Sequence, residues 1–280
     1  MIKKMIAVVL VLVLAVSCLT ACGGSKEITV ASIQKAGKLD IATSPDFPPF
    51  EALTADGSVE GIEIEIMELI CKELGVALEI KQMDFDSVLP GVQAGKFTVG
   101  VSGISVTPAR EKNTLFTVPY CLAAQAIVVT SDSPIKSKAD LAGKTVSVQT
   151  GTTAEEFCMS NGYEVKAFAA NADAESALTV GKVDAWVIDD LTAAEMVAAY
   201  NEEHPDAPLV VLGEAMTTEP YAFAFAFGSE NLVEKINEIL NKLPAIFFGI
   251  NTQFHSADTD CKLCIVGNRF IVCSVNRRHR

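Results

Sequence analysis

Two side chains of opposite charge stand where chemistry is expected. Arg110 closes the run Ser102-Gly103-Ile104-Ser105-Val106-Thr107-Pro108-Ala109, so a planar, permanently charged fork follows a turn rich in hydroxyl groups. Such a guanidinium pairs bidentately with a carboxylate, although the same residue can also be a surface arginine opening a helix. Asp189 ends the apolar run Ala185-Trp186-Val187-Ile188, an expensive place for a carboxylate unless something cationic meets it. Its neighbour Asp190 is the alternative, and could instead cap a helix starting near Thr192. Gly151-Thr152-Thr153 follows a strand-like stretch, 145–148, and precedes a helical one near 154–159. Its amides would form an anion-accepting helix N-terminus to which Thr153 adds a hydroxyl, or the two threonines merely cap that helix. Ser102 and Ser105 offer hydroxyls, and Gly103 permits close backbone approach.

Catalytic and metal-binding patterns are weaker. The histidines are His204 in a proline-bearing loop and His255 and His279 near the end, with no serine–histidine–acid set around them. Cys261-Lys262-Leu263-Cys264, with His255 and Cys273 nearby, has a zinc-like spacing but lacks a complete second ligand pair, so no metal or cofactor is expected.

For the charged residues to meet, the chain between them must alternate strands and helices. Leu39-Asp40-Ile41-Ala42 reads as a strand, after which Pro45, Pro48 and Pro49 enforce a loop. Gly61 precedes a helix with Ile62, Ile66, Leu69 and Ile70 on one face and Glu65, Glu68 and Lys72 elsewhere. Gly75 stops it, 77–82 is the next strand, and 87–94 is a short helix closed by Gly95. This order predicts a parallel sheet. The same grammar returns at Ser176-Ala177-Leu178, Gly181-Lys182 and the strand ending in Ile188. Two α/β lobes of like architecture follow, linked near 122–125 and again near 219–221. Two connections make a hinge, and the cleft between the lobes is the default ligand site.

Lys3 and Lys4 precede an apolar run, 5–16, too short to span a bilayer comfortably, so 1–21 reads as an export signal. It ends in Leu19-Thr20-Ala21-Cys22, which resembles the lipobox of bacterial lipoproteins. On that resemblance Cys22 becomes a lipidated first residue bearing acyl chains such as palmitate; the alternative is a plain signal and an ordinary cysteine. Two acyl chains anchor stably, so an extracytoplasmic, membrane-anchored protein is expected, with Gly23-Gly24-Ser25 as tether. The formal charge is −13, and the body is more acidic than that, since the last stretch contributes Lys262, Arg269, Arg277, Arg278 and Arg280. Nucleic acid is therefore not an expected partner. Cys71, Cys121 and Cys158 lie far apart and read as buried, small apolar residues rather than a disulfide framework.

From about Gly37 to Leu243 the sequence resembles the polar amino-acid-binding proteins of bacterial ABC transporters, extracellular solute-binding family 3. The likeness is carried by Ser44-Pro45-Asp46-Phe47-Pro48-Pro49-Phe50-Glu51, Gly61-Ile62-Glu63-Ile64-Glu65, the run from Ser102 to Arg110, Gln149-Thr150-Gly151-Thr152-Thr153, and Gly181-Lys182-Val183-Asp184-Ala185 leading to Asp189. The resemblance implies a two-lobed periplasmic-binding-protein fold of type II with a double-crossover hinge. Lobe 1 would comprise 37–122 plus 221–243, and lobe 2 123–220, after the lipidated cysteine and tether at 22–36. It implies as ligand a free amino acid, a zwitterion that needs a fixed positive and a fixed negative group. Arg110 becomes the carboxylate clamp, aided by Thr152 and Thr153, and Asp189 the ammonium acceptor, with Ser102, Gly103 and Ser105 lining the cleft. Ser44 and Phe47 belong to the side-chain pocket. Members that take cationic amino acids carry an acid where this chain has Ser44, which argues against arginine, lysine or ornithine unless Asp46 or Glu51 compensates. Thr98 stands where the family has an aspartate.

The implied function is capture of an amino acid and delivery to an ABC transporter permease and its ATPase, by a monomer that is not an enzyme. The competing readings are a periplasmic dehydratase-like enzyme on the same fold, or a ligand-sensing module, because a cleft that holds a carboxylate can also place a general base. The family closes with a helix, a glycine turn and an aromatic-rich last helix. Here Pro244 interrupts the helical spacing of Leu232, Ile236, Ile239, Leu240 and Leu243, and 244–280 runs Phe-rich, then Cys-rich, then basic. That tail is expected to be foreign to the fold, as a reading-frame shift would make it; the alternative is a lineage-specific extension.

Overall fold

The computed structural model describes residues 27–243 together with 265–266 and 269–270. The export signal, Cys22, Gly23-Gly24-Ser25 and nearly all of the 244–280 tail, with its histidines and cysteines, lie outside the described residues, whereas the end of the stretch expected as tether, 30–36, is helical.

The first lobe begins with α1 (Val30–Ala36), whose N-terminus is capped by the Thr29 hydroxyl. There follow β1 (Lys38–Thr43), a small ribbon of β2 (Asp46–Phe47), β3 (Glu51–Leu53) and β4 (Val59–Glu60), then α2 (Ile62–Leu74), β5 (Ala77–Gln82), α3 (Phe85–Gln93), β6 (Val99–Gly100) and β7 (Leu115–Phe116). The proline-rich loop is thus partly ordered by pairing, with Asp46 opposite Ala52 and Phe47 opposite Glu51. β1 runs parallel to β5 and β6, as strand–helix alternation requires. The sheet is nonetheless mixed, in the order β5-β1-β6-β15-β7, because β15 (Ala224–Phe225) arrives from far along the chain and pairs antiparallel with β6 and β7. Alternation read locally cannot reveal a strand contributed from that distance.

α2 buries Ile64, Ile66, Met67, Ile70, Cys71 and Leu74, while Leu69 is only half-buried. The apolar stripe is therefore wider and rotated from the one expected. It also carries Glu63 into the interior, which hydropathy alone would have left outside. Each such aliphatic side chain stabilises the lobe by about 1.5–3 kcal/mol, and Ile66→Ala would cost about 2–5 kcal/mol. Thr98 donates its hydroxyl to Asp40 at 2.7 Å, a tie between neighbouring strand ends.

The second lobe repeats the plan with β9 (Gln125–Thr130), β10 (Thr145–Gln149), α4 (Thr153–Ser160), β11 (Glu164–Phe168), α5 (Asn171–Thr179), β12 (Ala185–Asp189), α6 (Asp190–Glu203) and β13 (Leu209–Val211). Its sheet order is β11-β10-β12-β9-β13, with β10 parallel to β11 and β12, and β9 antiparallel to β12 and β13. Trp186 is fully buried among Val128, Ala174, Leu178 and Ile188.

The lobes are joined by β8 (Cys121–Ala123) and β14 (Glu219–Tyr221), which pair antiparallel. β8 runs on into β9 of the second lobe and β14 into β15 of the first. α7 (Glu230–Leu240) then lays Leu232, Ile236 and Ile239 on the first lobe. Cys71, Cys121 and Cys158 are buried, and burial pushes the Cys71 and Cys158 thiols up to about 11 and about 12. Among the described residues no helix is long and apolar enough to cross a membrane.

Candidate functional site

A narrow cavity lies between the lobes, beyond the carboxyl ends of the strands, where loops can aim polar groups at a ligand. The first lobe contributes Ser44, Asp46, Phe47, Phe85, Ser102, Gly103, Ser105 and Arg110; the second contributes Gln149, Thr152, Thr153 and Asp189.

The first-lobe wall is fixed from behind. The Ser102 hydroxyl accepts the Ser44 amide at 3.0 Å and donates to Glu51 at 3.0 Å. The Gly103 amide donates to both oxygens of Glu63 at 3.1 and 3.2 Å, and the Tyr120 hydroxyl donates to the same carboxyl. Glu51 and Glu63 are fully buried beside each other. Burial first, and then the neighbouring Glu63 charge, hold Glu51 well above the usual carboxylate range; burial pushes Glu63 up to about 7. Two such carboxyls are stable together only if one keeps its proton. Gly103 has φ +55°, and a Cβ there would come within 2.5 Å of the Phe47 ring. Glycine is what lets that ring close over the turn.

Arg110 opens a short 3-10 turn, 110–112. Its Nη1 donates to the Ser105 carbonyl at 2.9 Å and its Nη2 to the Gly151 carbonyl of the other lobe at 3.2 Å, while the guanidinium lies 5.8 Å from the Phe85 ring centre. A guanidinium has five N–H donors, so the fork keeps donors for a ligand carboxylate. Burial lowers its pKa, against the charges of Glu156, Glu219 and Asp189, yet an arginine stays cationic.

In the second lobe Thr152 is the N-cap of α4: its hydroxyl accepts the Glu155 amide at 3.2 Å and donates to the Gln149 carbonyl at 2.7 Å. The Gly151 amide is taken by the Glu155 carboxylate at 2.7 Å. The helix N-terminus is thus less open to an anion than its sequence suggests, because a capping acid from its own first turn occupies part of it. The Thr153 hydroxyl accepts from Gln125 at 3.3 Å. Asp189, 7% exposed, accepts from Gln125 and from Tyr221. Burial, then the Glu219 charge, push it up to about 7 against the pull of those two hydrogen bonds. Asp190 is turned away: α6 begins with it rather than near Thr192, and its Oδ1 accepts the Ala124 amide at 3.1 Å.

The lobes also touch through Asp46, whose carboxylate accepts Ser44 at 3.0 Å, Gln149 at 3.1 Å and the Asn171 amide at 2.7 Å. Burial raises its pKa and these donors lower it.

The model of the bacterial extracellular solute-binding proteins, family 3, matches residues 39–245. The chain belongs to that family. A relative, the arginine-binding extracellular protein ArtP of Bacillus subtilis, is 32% identical over 230 residues, 80% of this chain and 87% of its own. The arginine-bound form of truncated ArgBP from T. maritima is 36% identical with a TM-score of 0.70, covering 76% of this chain and 99% of that one. An ancestral arginine-binding protein bound to glutamine is 39% identical with a TM-score of 0.68, covering 74% and 91%. These neighbours bear out the two-lobed α/β fold.

The cavity brings together Ser44, Phe47, Ser102, Gly103, Ser105, Arg110, Thr152, Thr153 and Asp189, the residues singled out from this family-3 sequence. It adds Asp46, Gln149 and Phe85 to its lining. Gln149 ends β10 and Phe85 begins the helix after β5, so strand-end position was a usable signal for both. Glu51, considered as a compensating acid, instead lies behind the wall on Ser102.

Proposed function

We propose that this protein captures a free α-amino acid with a polar side chain between its lobes and delivers it to the permease of an ABC transporter, with its ATPase. The observation that carries the reading is a cleft between the lobes with a half-buried cation, Arg110, on the first lobe and a buried acid, Asp189, on the second. A zwitterion is the ligand that satisfies both, with Arg110 and Thr153 on its carboxylate and Asp189 on its ammonium. Ser44, Asp46 and Gln149 supply a hydroxyl, a carboxylate and an amide for the side chain, which supports a polar one of arginine or glutamine type. Those are also the ligands named for the structural relatives.

In this reading the protein binds without turnover, and Cys22 carries the lipid that keeps it at the outer membrane surface of the cell. Among the described residues the one histidine, His204, stacks on Tyr200 at the exposed end of α6. Thermal-shift screening of the purified protein against the twenty amino acids tests the proposal. A ligand present at 100 times its Kd adds about 2.7 kcal/mol. Absence of any shift at millimolar concentrations would overturn it. Turnover of a prephenate-like acid would move it to the enzyme class.

A further inference from the structure

Asp189 closes a strand of the second lobe, but the donors that hold it come from the hinge. β8 and β14 pair so that Tyr221 stands opposite Cys121. Gln125 is the first residue of β9, two positions past the end of β8; Tyr221 is the last residue of β14. The Gln125 side-chain amide donates to Asp189 Oδ1 and reaches Thr153 Oγ1 at 3.3 Å, while the Tyr221 hydroxyl donates to Asp189 Oδ2. Both donors are completely buried.

Each donor is itself anchored. The Gln125 amide nitrogen of the backbone donates to Thr217 Oγ1 at 2.9 Å, and the Asp190 carboxylate holds the Ala124 amide beside it. The Tyr221 ring lies edge-on to Phe50, with centres 5.2 Å apart, inside the first-lobe core. A side chain rooted in one lobe therefore holds the acid of the other. A change of hinge angle must alter the Tyr221–Asp189 bond, since its two ends ride on different bodies.

We propose that Gln125 and Tyr221 are positioning residues for ammonium recognition: one from each hinge connection, they aim the Asp189 carboxylate and tie its orientation to lobe closure. The proposal rests on the reading of Asp189 as the ammonium acceptor. Each carboxylate oxygen accepts two hydrogen bonds, so one hinge donor apiece leaves the remaining lone pairs for an ammonium. The two donors also favour the ionised acid, which burial and the acids around it oppose. The charged and titratable groups facing Asp189 are Tyr221 and Glu219 on β14, Asp190 next to it and Arg110 across the cavity; Gln125 and Thr153 face it as neutral groups.

The test uses Tyr221→Phe and Gln125→Leu, which keep the ring or the bulk and remove one donor each. The Asp189 carboxyl is titrated by carbon NMR in the parent and both variants, and affinity for arginine and glutamine is measured from pH 5.5 to 9. Removing a donor should raise the pH at which Asp189 ionises. Affinity should then fall about tenfold more than the parent's at pH 6 and by less than about threefold at pH 9. Loss by the same factor at every pH, with an unmoved Asp189 titration, would assign both residues a purely structural role and overturn the proposal. If Tyr221→Phe fails to fold, Gln125→Leu decides alone. A parent that binds none of the twenty amino acids sinks the functional reading, whereas the NMR titration judges the hinge contacts whatever the parent binds.

Discussion

The two lobes share a strand order yet present opposite chemistry to the cleft. In each, one strand, β1 or β10, lies between two parallel neighbours, β5 and β6 or β11 and β12, and the fourth position is filled antiparallel by the strand that enters from the hinge, β15 in one lobe and β9 in the other. The first lobe offers donors, the Arg110 fork and the Ser102–Gly103 turn, and supports that turn from within by a buried acid pair. The second offers an acid, Asp189, and supports it from the hinge. The first wall is therefore set by its own core, while the second depends on how the lobes stand. A shared topology fixes where a site can be; the groups behind the loops decide whether it is rigid or responsive.

The sharpest way to break this comparison is to remove one charge from each side. Arg110→Ala and Asp189→Ala should each weaken amino-acid binding by about 3–5 kcal/mol, a few hundredfold or more, because a zwitterion end is left buried without its partner. Calorimetric titration reads this directly, and near-parental affinity in either variant removes that residue from the site. The pH profile separates the lobes next. Asp189 ionises at about 7 and must be ionised to meet an ammonium, whereas Arg110 stays charged. Affinity should hold above pH 7 and fall toward tenfold per unit below it, and a flat profile down to pH 5.5 would deny Asp189 that role.

The acid pair gives a smaller and opposite signature in stability. Glu51 and Glu63 have raised folded-state pKa values, so between the ordinary carboxylate range and about 7 the folded protein holds more protons than the unfolded chain. Stability then falls as pH rises through that window. Glu51→Gln keeps the neutral partner without titrating, and should make that decline shallower, leaving the parts due to Glu63 and Asp189. Denaturant unfolding at pH 5 and pH 8 checks it; an unchanged difference between the two would mean the pair shares no proton. Smallest is Thr152→Ala. It removes the α4 cap at a cost of about 1 kcal/mol, or a fall of roughly 2–4 °C in Tm, and a much larger loss of affinity than of stability would show that Thr152 also touches ligand.

Much of this was legible in the chain. The strands around Ile188 and Ala42, the glycine stops at Gly75 and Gly95, and the position of Asp189 after an apolar run all follow from local periodicity and turn chemistry. The mixed character of both sheets did not, because antiparallel partners such as Ala224 and Gly100 are distant in sequence. Nor did the burial of Glu63, since a glutamate at an apolar helical position reads as solvent-facing until Tyr120 and Gly103 are brought to it.

Sequence by itself determined the class of the fold and the residue types at the strand ends, because hydrophobic period and glycine conformations act over a few residues. Only the tertiary structure decided that Arg110 and Asp189 face one cavity, that Asp46 is engaged by Gln149 and Asn171, and that Tyr221 reaches from the first lobe's core to the second lobe's acid. Those contacts join residues dozens to more than a hundred positions apart. Hydrogen bonds and burial act through space at about 3 Å, and no short-range pattern in the chain records them.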